Sequence, residues 1–289
     1  MKLAQEIRRL DYRPAAVVHV GGEDAHAFLQ SQFSNDLGRS RLEKPVYGLW
    51  LDRKGRVLAD STVLPDPDGV SYWLASVACP AAVILGHLNA HIVADDVALS
   101  DETAGWAGIC LMGSGAAAAG PQLPPGLGFA GRRGAESWEW LVRADRLAEA
   151  SSAVSGAALL TAAEAERARI AAAVPAVPAD IGPSDLPAEG GLDVDAVSYS
   201  KGCYTGQEVM ARIRALGRVR RRLIRVASGS PAPRLPAPLW GGGKRLGEVR
   251  SAVSAGGGFE GLALVPVSAA APGSLFSLSE AGPETVRAA

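Results

Sequence analysis

The sequence predicts an α+β fold: two ferredoxin-like α+β units followed by a small antiparallel β-barrel. Three observations predict it. Within residues 1–112 a β-branched run, a helical repeat, three strands joined by tight turns, a further helix and a returning strand follow one another. Residues 113–217 then bring strand, helix and strand again, and end in a further helix. Residues 218–289 hold only short strands at regular turn spacing, the pattern of a small barrel. Strands are free to be shared across the first boundary.

Composition narrows the function classes. The chain has 289 residues, enough for two or three domains, and its 29 basic side chains balance 30 acidic ones. That balance gives no argument for direct nucleic-acid binding or for a membrane surface. The three cysteines, Cys79, Cys110 and Cys203, are widely spaced and form no C-x-x-C pair. This argues against a disulfide framework and against a self-contained zinc or cluster site, and it fits a reducing compartment. The segment MKLAQEIRRLDYRP is mixed and charged, and no run of 18 apolar residues occurs. A cytoplasmic protein is expected, without a membrane span, and a monomer, since nothing suggests an obligate interface.

In chain order, AAVVHV closed by Gly21 and Gly22 reads as a strand, and DAHAFLQSQFSNDL as a helix with Ala25, Phe28, Leu29 and Phe33 on one face. His26 reads as a solvated helix residue, and Asn35 and Asp36 as helix-end residues or ligand contacts. YGLWLD and RVLADSTVL form a hairpin about the turn DRKG, and DPDG turns the chain into VSYWLAS. A helix follows Pro80, and VALSDE and GWAGICLM return to strand. Residues 113–134 read as loop around a short helix. The string GSGAAAAG within them lacks the G-K-[ST] of a phosphate loop and reads as linker. SWEWLVR is a strand, residues 145–154 a helix and 157–160 a short strand. Thr161 and Glu164 make a capping box that opens AEAERARIAAA, which Pro175 and Pro178 bring to an end. Residues 183–198 form an acidic loop that delivers the next stretch to a surface.

That stretch, SYSKGCYTGQE at 198–208, concentrates the chemistry. Thr205 and Glu208 stand in the relation of a capping box, which predicts a helix from about Gly206 with Val209, Ile213 and Leu216 as its buried stripe and Gly217 as its end. Cys203 would then sit beside unpaired helix amides with Lys201 near, and both favour the thiolate. Gly202 and Gly206 suggest positive φ or a close backbone approach. The alternative is a cysteine acting as a small buried hydrophobe and a glutamate that only caps.

The string KGCYTGQE, followed by ARIRALGRVRRRL, resembles the signature of the YgfZ family, and GGEDAHAFLQSQFSND resembles its amino-terminal pattern. These are folate-binding proteins related to the T-protein (aminomethyltransferase) of glycine cleavage, and they assist assembly or repair of iron–sulfur proteins. The resemblance implies a T-protein-like arrangement of the three units around a central folate-sized hole. It implies tetrahydrofolate or a one-carbon derivative as cofactor and no stable metal. Its implied partners are iron–sulfur client or assembly proteins, including tRNA-modifying enzymes. Cys203 and Lys201 become the reactive residues, with Gly202 and Gly206 as motif glycines. Asp60, Arg169, Tyr204, Gln207, Glu208, Arg212, Arg220 and Arg222 become the folate contacts. Stable clusters usually take four protein ligands, so Cys203 would ligate iron only transiently or with a partner.

Three further readings go with the resemblance. RIAAAVPAVPADI carries Ala171 where aminomethyltransferases have a glutamate facing folate, which counts against the alternative function, folate-dependent aminomethyl or one-carbon transfer. A cysteine hydrolase would need His19, His26, His87 or His91 as its base. Arg218, Arg220 and Arg222 alternate on one strand face, solvated or facing an anion such as the folate tail.

Overall fold

The computed structural model describes residues 7–38, 42, 44–119, 125–133, 136–217 and 219–289. The chain begins with β1 (Arg8–Tyr12), β2 (Ala16–Gly21), α1 (Ala25–Gln32), β3 (Val46–Leu51), β4 (Val57–Pro65), β5 (Tyr72–Ser76), α2 (Ala81–Asn89), β6 (Ala98–Asp101) and β7 (Trp106–Met112). It continues with α3 (Ala116–Ala119), β8 (Leu127–Ala130), β9 (Ser137–Arg143), α4 (Leu147–Ala153), β10 (Ala158–Leu159), α5 (Ala162–Ala171) and α6 (Gln207–Leu216). The last part is all strand: β11 (Arg221–Ser228), β12 (Ala237–Gly241), β13 (Lys244–Ala255), β14 (Gly258–Pro266), β15 (Leu275–Ser277) and β16 (Glu284–Ala288).

The first sheet has the order β3-β4-β5-β2-β6, with every neighbouring pair antiparallel. Alternation along β2 decides what each face meets. Val18 and Val20 pack with Phe28, Leu29, Ile84 and Leu88 of α1 and α2, while Val17 on the opposite face packs with Trp73, Trp106, Phe129 and Leu141. The last three belong to the second sheet, of order β10-β1-β7-β9-β8. The two sheets therefore bury a common core, and the helices lie outside it. Strands β1 and β7 both fall within residues 1–112 yet pair with each other in the second sheet, Leu10 opposite Cys110, so strands are shared across the sequence boundary at 112.

Two strands escape the sequence reading, β1 (Arg8–Tyr12), in the charged segment before Ala15, and β8. Leu127–Ala130 lies in the segment read as loop, because LGFA is short and sits in Gly- and Pro-rich surroundings. Its glycine is what lets it pair: a Cβ on Gly128 would lie 2.5 Å from the Trp140 ring. The capping box at Thr161 and Glu164 is present in both directions. The one at Thr205 is not: α6 starts after Gly206, whose φ is 85°, and no side chain caps it. The Thr205 hydroxyl instead meets Gln32 Oε1 at 3.1 Å. Gly217 does close α6 in the left-handed conformation. The buried residue of α6 is Met210, with Val209 and Ile213 half-buried, whereas Leu216 is 68% exposed.

The carboxy-terminal strands close into a barrel of order β11-β14-β13-β12-β15-β16. A register shift between Val249 and Ser251 leaves Arg250 as the extra residue of a bulge. Its guanidinium is thereby aimed at Asp185 and at the Asp180 carbonyl, 2.8 Å away, which fastens the barrel to the 175–190 loop.

Candidate functional site

Two features come together where the sheets meet the long loop. The first is a cavity of about 60 Å³ in the shared core, lined by Tyr47, Asp60 and Thr62 from the first sheet, Phe129 and Glu139 from the second, and residues 175–177. By volume it takes about four waters. It is narrowed by Arg132, whose guanidinium lies 4.1 Å from the Tyr47 ring centroid, and by Arg133, 4.3 Å from that of Tyr12.

Asp60 is the one predicted folate contact that lines this cavity. Its carboxylate accepts from Tyr47 Oη at 3.0 Å and Ser76 Oγ at 2.7 Å. Burial raises the Asp60 pKa, and the two hydroxyl donors oppose the rise. Burial and the neighbouring Asp60 push the Tyr47 phenol well above its ordinary value, so it stays protonated and donates.

Glu139 was not singled out by the sequence. It is fully buried and pairs with Arg133 Nε at 3.3 Å; the Tyr12 hydroxyl and Cys110 thiol face it, but neither carboxylate oxygen accepts a hydrogen bond of good geometry. The signal was present: an acidic residue between Trp138 and Trp140, in a strand whose other residues up to the terminal Arg143 are apolar or small, has no aqueous face to turn to unless the sheet is open on that side.

The second feature is the cysteine loop, held against residues 30–36. Ser34 Oγ donates to the Ala196 carbonyl at 2.6 Å, and the Ser198 amide donates to the Ser34 carbonyl at 2.9 Å. Lys201 Nζ then donates to three carbonyls, those of Gln30 at 2.6 Å, Phe33 at 2.7 Å and Asn35 at 3.0 Å. The two segments that carried the resemblance separately are therefore one contact in space.

This changes the role of Lys201. An ammonium has three donors and all three serve backbone carbonyls, so Lys201 is a clamp rather than the neighbour of a thiolate. Burial lowers its pKa to about 8, against the pull of Asp36. Cys203 itself is exposed, whereas Cys79 and Cys110 are buried. Tyr204 is buried, with the Lys201 ammonium 5.3 Å from its ring centroid. Gln207 bonds the carbonyls of Lys201 and Gly202, each at 3.4 Å, and so closes the loop on itself. The close approach predicted at Gly206 is to the chain's own hairpin: a Cβ there would lie 2.7 Å from the Asp52 carbonyl oxygen. Gly202 has no such neighbour.

The loop and the cavity share a wall. Asn35 Nδ2 donates to the carbonyls of Tyr47 at 2.8 Å and Asp195 at 2.9 Å, and the Asp195 carboxylate pairs with Arg132. The other predicted contacts lie elsewhere. Arg169 is buried in an ionic cluster, bonding Asp180 at 2.6 Å, Glu166 at 2.6 Å and Ser251 at 2.7 Å. Tyr204 and Gln207 belong to the cysteine loop and do not line the cavity; Glu208, Arg212, Arg220 and Arg222 are exposed outside it. Arg218 lies outside the described residues. Ala171 is exposed and also outside the cavity lining, its carbonyl accepting from Arg225 at 3.1 Å, so a missing carboxylate there leaves the cavity wall unchanged.

Among the described residues, His19 is engaged with Ser71, His26 with Tyr72 and Gly38, and His91 with the His87 carbonyl. No hydrogen bond among the described residues joins any of the four histidines, His87 included, to Cys203. No group of three or more potential metal ligands occurs among the described residues.

Comparison with known proteins agrees with this architecture. Residues 3–120 match the GCVT N-terminal domain. A mitochondrial iron–sulfur cluster assembly factor IBA57 homolog of Mycosarcoma maydis is 27% identical over 233 residues, covering 75% of this chain and 57% of that protein. The tRNA-modifying protein YgfZ of Vibrio vulnificus (strain CMCP6) is 26% identical over 228 residues, covering 76% of this chain and 69% of that protein. A second mitochondrial IBA57 homolog, from Phaeosphaeria nodorum, is 27% identical and is covered to 60% of its length, so the chain spans less than two thirds of either IBA57 protein. The glycine cleavage system aminomethyltransferase T of Bartonella henselae superposes with a TM-score of 0.79 over 98% of this chain and 84% of that one, at 17% identity. The fold is that of the aminomethyltransferase, and over about three quarters of its length the sequence is similar to YgfZ and IBA57 proteins.

Proposed function

We propose that this protein binds a reduced folate at the cavity between its sheets, the Arg132 and Arg133 side chains that narrow it moving aside to admit the ring, and acts through Cys203 in the assembly or repair of iron–sulfur proteins, tRNA-modifying enzymes among them. The observation that carries the folate part is Glu139, a fully buried carboxylate in the same cavity as Asp60 whose oxygens accept no hydrogen bond of good geometry, with Arg133, Tyr12 and Cys110 as the polar groups that face it among the described residues. A buried acceptor left so costs about 1–3 kcal/mol, more when charged, and a planar heterocycle rich in N–H donors would offset that cost. The amino-pyrimidinone edge of a pterin is such a group. Phe129, Pro175 and Val177 supply apolar wall for its faces, and Arg132 and Arg133 are part-exposed cations of the lining. A reduced folate, when bound, supplies a carrier for one-carbon units.

The cysteine part is supported by contrast with the other two thiols, both buried, and by the number of side chains spent on holding the 198–207 loop against α1. The iron–sulfur part is drawn from the names of the relatives. Calorimetric titration with tetrahydrofolate under anaerobic, reducing conditions tests the first claim. Saturable binding is expected, weakened about tenfold or more by Glu139→Gln. Complementation of a strain lacking its own YgfZ tests the second. Cys203→Ala should keep folding and folate affinity and lose support of the client enzymes; full complementation would remove Cys203 from the function.

A further inference from the structure

The arginines at the far end of α6 belong to neither the cavity nor the ionic clusters. Some exposed arginines pair with carboxylates, Arg146 with Glu149, Arg167 with Glu260 and Arg245 with Glu248, and others stand singly at the surface. Arg212, Arg214, Arg220 and Arg222 are all exposed, and among the described residues none forms an ion pair. Like charges gathered at one end of a helix repel one another unless something answers them.

Two of them, Arg214 and Arg222, line a groove of about 560 Å³ between the second half of α6, the start of β11 and the 188–194 loop. Ile213, Val219 and Leu223 line it together with Arg214 and Arg222. At its edge Val194 is 85% exposed. Two carboxylates also line the groove. Glu189 is already bound by Arg221 at 2.8 Å, which leaves Asp193 as the only local counter-charge. The groove is thus apolar along its floor and carries excess positive charge at its rim.

We infer that this groove docks an acidic segment of a partner protein, aliphatic side chains entering between Val219 and Leu223 and carboxylates meeting Arg214 and Arg222. Such a combination is the ordinary anatomy of a protein interface, apolar at the centre and charged at the rim. RNA fits less well. Single-stranded bases need aromatic platforms, and Tyr199, the nearby ring, is covered by the Arg214 guanidinium at 4.3 Å. The chain's net charge is −1. Because α6 is about 15 Å long and begins just after the cysteine loop, a docked segment would lie about one helix length from Cys203. That proximity matters only if the iron–sulfur reading holds; the docking does not depend on it.

The test is fluorescence anisotropy on the full chain with a short labelled peptide of glutamate and leucine. A serine-for-leucine version and a labelled oligouridine serve as comparisons. Expected is binding of the Glu/Leu peptide that weakens with salt, falls roughly tenfold or more in Arg214→Glu/Arg222→Glu, and is unchanged in Arg287→Glu. Arg214→Gln/Arg222→Gln, with circular dichroism, checks that the loss is of charge and not of fold. No peptide binding, equal binding to the reversed variant, or tighter binding of oligouridine would overturn the inference. Tetrahydrofolate titration of the same variant separates the two readings. Unchanged folate affinity is expected; a loss there would return these arginines to the folate site and overturn the docking. Failure of the wild-type chain to bind folate would sink only the folate proposal.

Discussion

The Lys201 ammonium donates to the carbonyl of Phe33 at 2.7 Å, across 168 residues of chain. It reaches Gln30 and Asn35 at the same time, so one cation satisfies carbonyls at the carboxy-terminal end of α1, where the helix leaves them unpaired and its dipole is negative. Lys201→Met would keep the apolar stem and leave these acceptors without their donor. Urea denaturation should show a loss of about 2–4 kcal/mol. A variant of unaltered stability but with a less reactive Cys203 would instead make Lys201 an activator of the thiol.

The three cysteines should separate by reactivity. Burial pushes the Cys79 thiol up to about 12, and burial with Glu139 pushes Cys110 higher still. Both side chains are inaccessible, and Cys203 is exposed. Brief treatment of the native protein with iodoacetamide at neutral pH, read by mass spectrometry, should label one site, and Cys203→Ala should label none. Labelling of Cys110 at a comparable rate would mean that the shared core of the sheets opens.

Much of this arrangement was legible in the sequence, because the deciding signals are local. The DRKG turn, the Thr161–Glu164 cap and the β-branched run of β2 follow from neighbours along the chain. The cysteine motif was also legible as an eight-residue string. What it touches was not. Lys201 near Cys203 in sequence suggested a charge effect, yet the side chain leaves the loop for α1, since only a fold can bring three carbonyls to one point. Thr205 and Glu208 had the spacing of a cap, but Gly206 turns left-handed beneath the Asp52 hairpin and the threonine faces Gln32. Arg169 offered a cation near a family motif, and the barrel residue Ser251, 82 positions on, helps to consume it.

Ala173 is the described non-glycine residue with positive φ, at 54°. It follows α5 as the left-handed position of a Schellman ending: its amide donates to the Ile170 carbonyl at 2.9 Å and the Val174 amide to that of Arg169 at 3.1 Å. An alanine there bears a strain of about 1–2 kcal/mol that glycine avoids, less the larger entropy glycine has when unfolded. Ala173→Gly should therefore stabilise the chain by about 0.5–1 kcal/mol, seen as a higher Tm. A lower Tm would show that the turn prefers alanine's rigidity.

His87 should make stability depend on pH below neutrality. Its ring lies on α2, 6.0 Å from Trp50 and 4.6 Å from His91 between centroids, and its buried Nε2 has no hydrogen-bond partner. Burial, and then the neighbouring His91, lower its pKa from 6.5 to about 4. The folded state therefore prefers the neutral ring. Its contribution is fully present above pH 6.5 and is lost as the pH falls through that value towards 4, because the unfolded chain takes up the proton first. Allowing for partial screening, the loss attributable to this group is about 2 kcal/mol. His87→Phe keeps a ring against Trp50 and cannot titrate. Urea unfolding at pH 7.5 and at pH 4.5 should then show the wild type losing more stability than the variant by about that amount, the acidic side chains common to both cancelling in the comparison. An equal loss in both proteins would mean that His87 reaches solvent, and hence that α2 does not seal the outer face of the first sheet.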